Sequence, residues 1–192
     1  MGLSDFLSYR GFHGFEGYSQ QVPKQVKDLI ELSKGSMTAM EIGFNAGHSA
    51  EVFLQNNQNL TLTSFDLNAH PYVSTGKEYM DTMYQNRHSL ILGNSVVTVP
   101  EYINNNPGKV FDLIFIDGGH EYDIATADLE NCRKLAHKDT IVILDDTVFT
   151  EEGLSYGPTK AWLTQVDSGK ITETSRVLYE PGRGMAWGKY VF

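Results

Sequence analysis

The chain has 192 residues and a mass of 21.5 kDa; with 41% hydrophobic and 20% charged residues it excludes disorder and fibrous repeats and fits one folded domain, 1–192. A formal charge of -9 argues against a nucleic-acid partner, because binders of phosphate backbones cluster Lys and Arg. No apolar run is long enough to cross a bilayer and no secretory signal pattern is present, so no membrane partner and a cytoplasmic setting are expected.

The first 20 residues carry Phe6, Tyr9, Phe12, Phe15 and Tyr18 among glycines, which suits a lid or N-terminal arm, an oligomer contact or a mobile tail. A helix is predicted over 22–33, with Val22, Val26, Leu29 and Ile30 on one face and Pro23 in the first turn. Short apolar runs follow at 38–43, 60–66, 89–93, 110–117 and 140–146, each ending on Gly or an acid. Such runs read as strands buried on both faces, and the segments between them are long enough for helical crossovers. Helices are predicted over 48–57, 73–86, 96–104, 123–136 and 158–167. The single cysteine, Cys132, shares a helical stripe with Ala125, Leu129 and Ala136 and reads as core packing. ITETSRVLYE and GMAWGKYVF, around Pro181, Gly182 and Gly184, read as two strands joined by a turn. The fold class is therefore α/β: a doubly wound, mostly parallel, seven-stranded sheet with an antiparallel C-terminal edge hairpin.

In such sheets ligands bind beyond the carboxyl ends of the strands. The first crossover, EIGFNAGHS at 41–49, offers Gly43, Gly47 and a helix start to a polar ligand, but lacks the G-x-G-x-x-G spacing of a dinucleotide site. Asp66 ends the next strand, where an acid can accept from a ribose hydroxyl pair, unless it only caps a turn. Asn94 and Ser95 end the third; they can face an adenine edge or simply start a helix. Asp117 ends the fourth, and Asp145 with Asp146 the fifth. Three carboxylates brought together repel unless a cation or donors offset them, which points to a hard divalent ion; turn caps and salt bridges are the alternative. His120 stands three residues after Asp117, with Gly118 and Gly119 between as clearance for substrate, and suits a general base or a loop anchor.

Glu41, Gly43, Gly47, Asp66, Gly93-Asn94-Ser95 and FDLIFIDGGHEYD (111–123) resemble the successive motifs of class I S-adenosylmethionine-dependent methyltransferases. The resemblance covers roughly residues 20–192, C-terminal hairpin included, and implies a Rossmann-like methyltransferase fold. It is nearest to small O-methyltransferases with an I-D-G-x-H signature, similar to metal-dependent macrolide-sugar methyltransferases and, more distantly, to catechol O-methyltransferase. It implies Glu41 near the methionine part of S-adenosylmethionine, with Gly43, Gly47 and Ser49 in the same loop, Asp66 on the ribose, and Asn94 and Ser95 beside adenine. Asp is frequent where Asn94 stands; the Asn carbonyl can still accept. Asp117 would serve the cofactor side and, with Asp145 and Asp146, hold Mg2+ or another divalent cation, while His120 would be the base. The implied reaction is methylation of a small-molecule hydroxyl, sugar-like or catechol-like, with residues 147–158 and the aromatic N-terminus shaping the acceptor pocket. A non-catalytic S-adenosylmethionine-binding module and a nicotinamide-dependent oxidoreductase are the alternatives; the glycine spacing counts against the latter.

Overall fold

The structure is a computed structural model that describes residues 1–15, 18–148 and 156–192. Helix α1 (Leu3–Tyr9) and a 3-10 turn (Ser19–Gln21) precede α2 (Pro23–Leu32). Then strands and helices alternate: β1 (Thr38–Ile42), α3 (His48–Asn56), β2 (Thr61–Asp66), α4 (Val73–Met83), β3 (His88–Leu92), α5 (Ser95–Asn105), β4 (Phe111–Ile116), α6 (Tyr122–Arg133), β5 (Ala136–Asp145) and α7 (Tyr156–Asp167). The hairpin β6 (Ile171–Glu180) and β7 (Arg183–Tyr190) follows. Among the described residues no helix is long and apolar enough to cross a membrane.

The strands form one seven-stranded sheet in the order β3-β2-β1-β4-β5-β7-β6, parallel from β3 to β5, with β7 antiparallel to both of its neighbours. Strand order therefore reverses between β1 and β4, which opens a crevice at their carboxyl ends. The apolar runs lack polar alternation because helices cover both faces. Along β4, Leu113 and Phe115 pack into one layer with Leu29 and Phe53. Ile114 and Ile116 point the other way, into a layer with Leu129 and Trp162. Cys132 is fully buried in that second layer, as packing.

Two local features differ from the sequence expectation. Strand β5 begins at Ala136 rather than 140, and α6 ends at Arg133 rather than 136. The polar stretch His137–Asp139 hides the strand start: Ala136 pairs with Phe111, the register shifts before Leu113, and the Thr140 hydroxyl donates to the Phe111 carbonyl. At the N-terminus, Leu3 and Leu7 of α1 are fully buried, and the Leu3 amide donates to Glu51 on α3 at 3.0 Å. The Tyr18 ring stacks on His48 at 4.1 Å and Phe15 packs edge-on to it. The described part of the N-terminal segment is thus an arm laid over the start of α3.

Candidate active site

The ends of β1 to β4 surround a pocket of about 510 Å3. Asp66 lies on its wall with its carboxylate already fixed: Oδ2 accepts from the Asn45 amide and Oδ1 from the Asn68 amide, both at 2.7 Å. Each oxygen keeps accepting capacity for a ligand. Asn94 and Ser95 also line the pocket; Asn94 is the N-cap of α5, its Oδ1 accepting from the Val96 amide at 3.0 Å, so capping and lining coexist.

Gly43 lines the pocket in the left-handed region, φ +95°, yet what forbids a side chain there is the protein itself. A Cβ at Gly43 would lie 1.8 Å from the Asp117 carbonyl oxygen. Gly47 (φ +96°) caps α3 and would strike the Phe44 ring at 2.9 Å. Glu41, Gly47 and Ser49 are not among the residues that line the pocket; they stand behind its wall. Glu41 is fully buried, accepting from Ser49 Oγ at 2.7 Å and Ser64 Oγ at 2.6 Å, and Ser64 shares a 2.8 Å hydrogen bond with His88 Nε2. Burial pushes the Glu41 carboxyl up to about 7, against the two hydroxyls that favour its charge.

Asp117, Gly118 and Gly119 line this pocket and also a cavity of about 10 Å3 beside it, closed by His120, Asp145 and Asp146. That volume suits one small particle, a water or an ion. One ligand atom each from Asp117, His120 and Asp146 lie within 4.8 Å of one another. His120 Nε2 is 2.8 Å from Asp146 Oδ2, and Asp146 holds a left-handed backbone, φ +55°. Asp145, buried, turns its carboxylate to α2: Gln25 Nε2 lies 2.8 Å from both of its oxygens, and the Asp146 amide donates to Oδ1 at 2.9 Å.

The electrostatics follow from this crowding. Desolvation, then the charges of Asp145 and Asp146, hold the Asp117 carboxyl well above the usual carboxylate range. Desolvation and Asp146 push Asp145 up to about 7. The hydrogen bond to Asp146 raises His120, with burial opposing. A divalent cation among Asp117, His120 and Asp146 would offset the repulsion that raises Asp117, so this donor set fits one, while Asp145, tied to Gln25, stands outside that cluster of three.

The glycines of the 117–120 loop are also closely surrounded by neighbouring side chains. A Cβ at Gly118 would meet Ile42 at 3.0 Å and Asp128 at 3.1 Å, and one at Gly119 would meet Ile124 at 2.8 Å. Gly157, in the first turn of α7, would place a Cβ 2.0 Å from the His120 carbonyl oxygen, so that helix braces the loop from behind. Neither Gly157 nor Gln25 stands out from chain order. Gln25 leaves one signal, a polar residue between Val22 and Leu29 on a buried helical stripe. Of the segment expected to shape the acceptor pocket, 149–155 lie outside the described residues.

Residues 40–147, more than half of the chain, match the family model of the methyltransferase domain. No curated protein matches the sequence. Among solved structures, an O-methyltransferase from Bacillus cereus in complex with S-adenosylhomocysteine is 15% identical with a TM-score of 0.75, over 98% of this chain and 90% of that one. TomG, an O-methyltransferase of tomaymycin synthesis from Streptomyces achromogenes solved with S-adenosylmethionine, is 14% identical, TM-score 0.72, over 99% and 88%. The TDP-rhamnose 3'-O-methyltransferase of calicheamicin biosynthesis is 22% identical, TM-score 0.66, over 88% and 78%. With the family model over its strand-tip motifs, the chain belongs to the methyltransferase-domain family, and it shares its fold with these O-methyltransferases.

Proposed function

We propose that the protein methylates a hydroxyl of a small molecule, sugar-like or catechol-like, with a divalent cation such as Mg2+ at the strand β4 and β5 tips. The observation that carries this is the shared wall: Asp117, Gly118 and Gly119 border both the large pocket and the small acid-lined cavity. A methyl donor in the first and an acceptor hydroxyl at the second would meet across that wall.

S-adenosylmethionine supplies an electrophilic methyl on its sulfonium. Asp66 accepts from the ribose hydroxyls, Asn94 and Ser95 border the adenine, and Glu41, behind the wall with Ser49, supports the amino-acid end. Asp117, Asp145 and Asp146 would hold the cation, whose charge lowers the pKa of a bound hydroxyl. His120 is the base. A carboxylate only accepts, so His120 donates Nε2–H to Asp146 Oδ2, and Nδ1 is the atom that takes the acceptor's proton. Asp146 thereby fixes the tautomer and aim of the ring.

Calorimetric titration with S-adenosylhomocysteine tests the donor half: binding that Asp66→Ala leaves unchanged removes Asp66 from the ribose. For the cation half, turnover that survives exhaustive chelation rules out metal assistance.

A further inference from the structure

Helix α2 carries an amide where its buried stripe calls for an apolar side chain. Val22, Gln25 and Leu29 follow at helical spacing, and Gln25 is only 1% exposed. Its Nε2 reaches both oxygens of Asp145 at 2.8 Å, across 120 residues of chain. Because a carboxylate offers only acceptors, the amide must present its N–H groups to Asp145 and turn Oε1 away. That Oε1 is buried with no hydrogen-bond partner among the described residues, a penalty that Met or Leu filling the same space would not incur. The contact with Asp145 is therefore what the amide serves. Neighbouring polar contacts set the aim of the helix: Gln21 Oε1 accepts from Arg183, and Asp28 Oδ2 from the Tyr179 hydroxyl, each at 2.8 Å. Residues 21, 25 and 28 thus face β5 and the hairpin together.

We propose that Gln25 is a positioning residue for the cation site, holding the Asp145 carboxylate at the wall of the small cavity, beside the cluster of Asp117, His120 and Asp146, so that it supports a divalent ion there. This rests on the metal-assisted reading given above. Oδ1 accepts from Gln25 and from the Asp146 amide, whereas Oδ2, among the described residues, accepts from Gln25 alone and keeps a lone pair for a ligand bond. The amide is neutral, so it orders the carboxylate without bringing a charge that competes with the cation. Groups that orient metal-binding carboxylates in this way typically change metal affinity about 10- to 100-fold.

The test uses the whole chain with Mn2+ alone, free Mn2+ being followed by its electron paramagnetic resonance signal, and S-adenosylhomocysteine affinity measured alongside. Gln25→Met is expected to weaken Mn2+ binding about 10- to 100-fold while S-adenosylhomocysteine affinity stays within about twofold. In an Asp145→Asn background the same substitution is expected to have no further effect, because Gln25 acts through Asp145. Should Gln25→Met fail to fold, Gln25→Asn, which holds its amide one methylene short of Asp145, is expected to give the same weakened binding. Unchanged or tightened Mn2+ affinity overturns the role of Gln25, as does a loss that adds to that of Asp145→Asn. Wild-type protein that binds S-adenosylhomocysteine but no Mn2+ overturns the metal reading itself, and this inference with it.

Discussion

The two halves of the rim treat negative charge in opposite ways. On the β1 to β3 side, Asp66 sits in an open pocket and meets two backbone amides, so its charge is matched before any ligand arrives. On the β4 and β5 side, Asp117, Asp145 and Asp146 crowd a cavity of about 10 Å3, and two of them are held above the ordinary carboxylate range. A satisfied carboxylate is a fixed acceptor that recognises. A frustrated group of carboxylates is a standing demand for positive charge, which a cation can meet and a proton otherwise will. In the proposed reaction this contrast would separate recognition from chemistry by how far each acid is desolvated, with the same residue type used for both.

Substitutions on either side sharpen or break this division. The largest effect is expected from His120→Ala, a loss of about 10²- to 10⁴-fold in turnover with S-adenosylhomocysteine affinity retained, measured as methyl transfer to sugar and catechol acceptors. A parallel loss of cofactor affinity would show that the halves are not separable. Gly43→Ala, which meets the Asp117 carbonyl and a left-handed backbone together, is expected to cost roughly 2–4 kcal/mol of stability in denaturant unfolding.

His88, beneath the β1 to β3 end of the rim, makes stability depend on pH. Burial lowers its pKa from 6.5 to about 4, so the neutral ring contributes fully above 6.5 and the contribution is lost as pH falls toward 4. The stability advantage of the wild type over His88→Gln should therefore shrink across that window, by up to about 3 kcal/mol; an advantage that is flat with pH would refute the assignment. The smallest effect is expected from Asp66→Ala. Cofactor affinity should fall about 10- to 100-fold while Mn2+ binding at the other end does not change.

How much of this was legible in the sequence depends on the range of the signal. The strands announce themselves locally, since apolar runs closed by Gly or an acid need only neighbouring residues to be recognised, and Asp66, Asn94, Asp117 and Asp146 stand at those closures. The beginning of β5 was hidden because His137–Asp139 are polar, with Lys138 and Asp139 exposed, at the far end of the sheet. Helix α1 was hidden because Leu3 and Leu7 become buried only against the rest of the fold. The hold of Gln25 on Asp145 spans 120 residues, and no local pattern encodes which buried amide meets which carboxylate. The glycines carry the subtler lesson. Gly43 and Gly118 suggested room for a ligand, yet Gly43 is demanded by the Asp117 carbonyl and Gly118 is crowded by the side chains of Ile42 and Asp128.

The approach of Gly43 to the Asp117 carbonyl bears on how such a protein can change over time. Main-chain hydrogen bonds also tie the β1 tip to both of its neighbours: Gly43 donates to the Phe65 carbonyl of β2, and Asp117, at the β4 tip, donates to the Ile42 carbonyl, each at 2.8 Å. The spacing between the β1 and β4 tips is therefore gauged by main-chain atoms in contact, independent of the side chains around them. Pocket walls can be rewritten to admit a new acceptor while that gauge stays constant. A lineage could then explore substrates without re-solving the alignment of the reacting atoms.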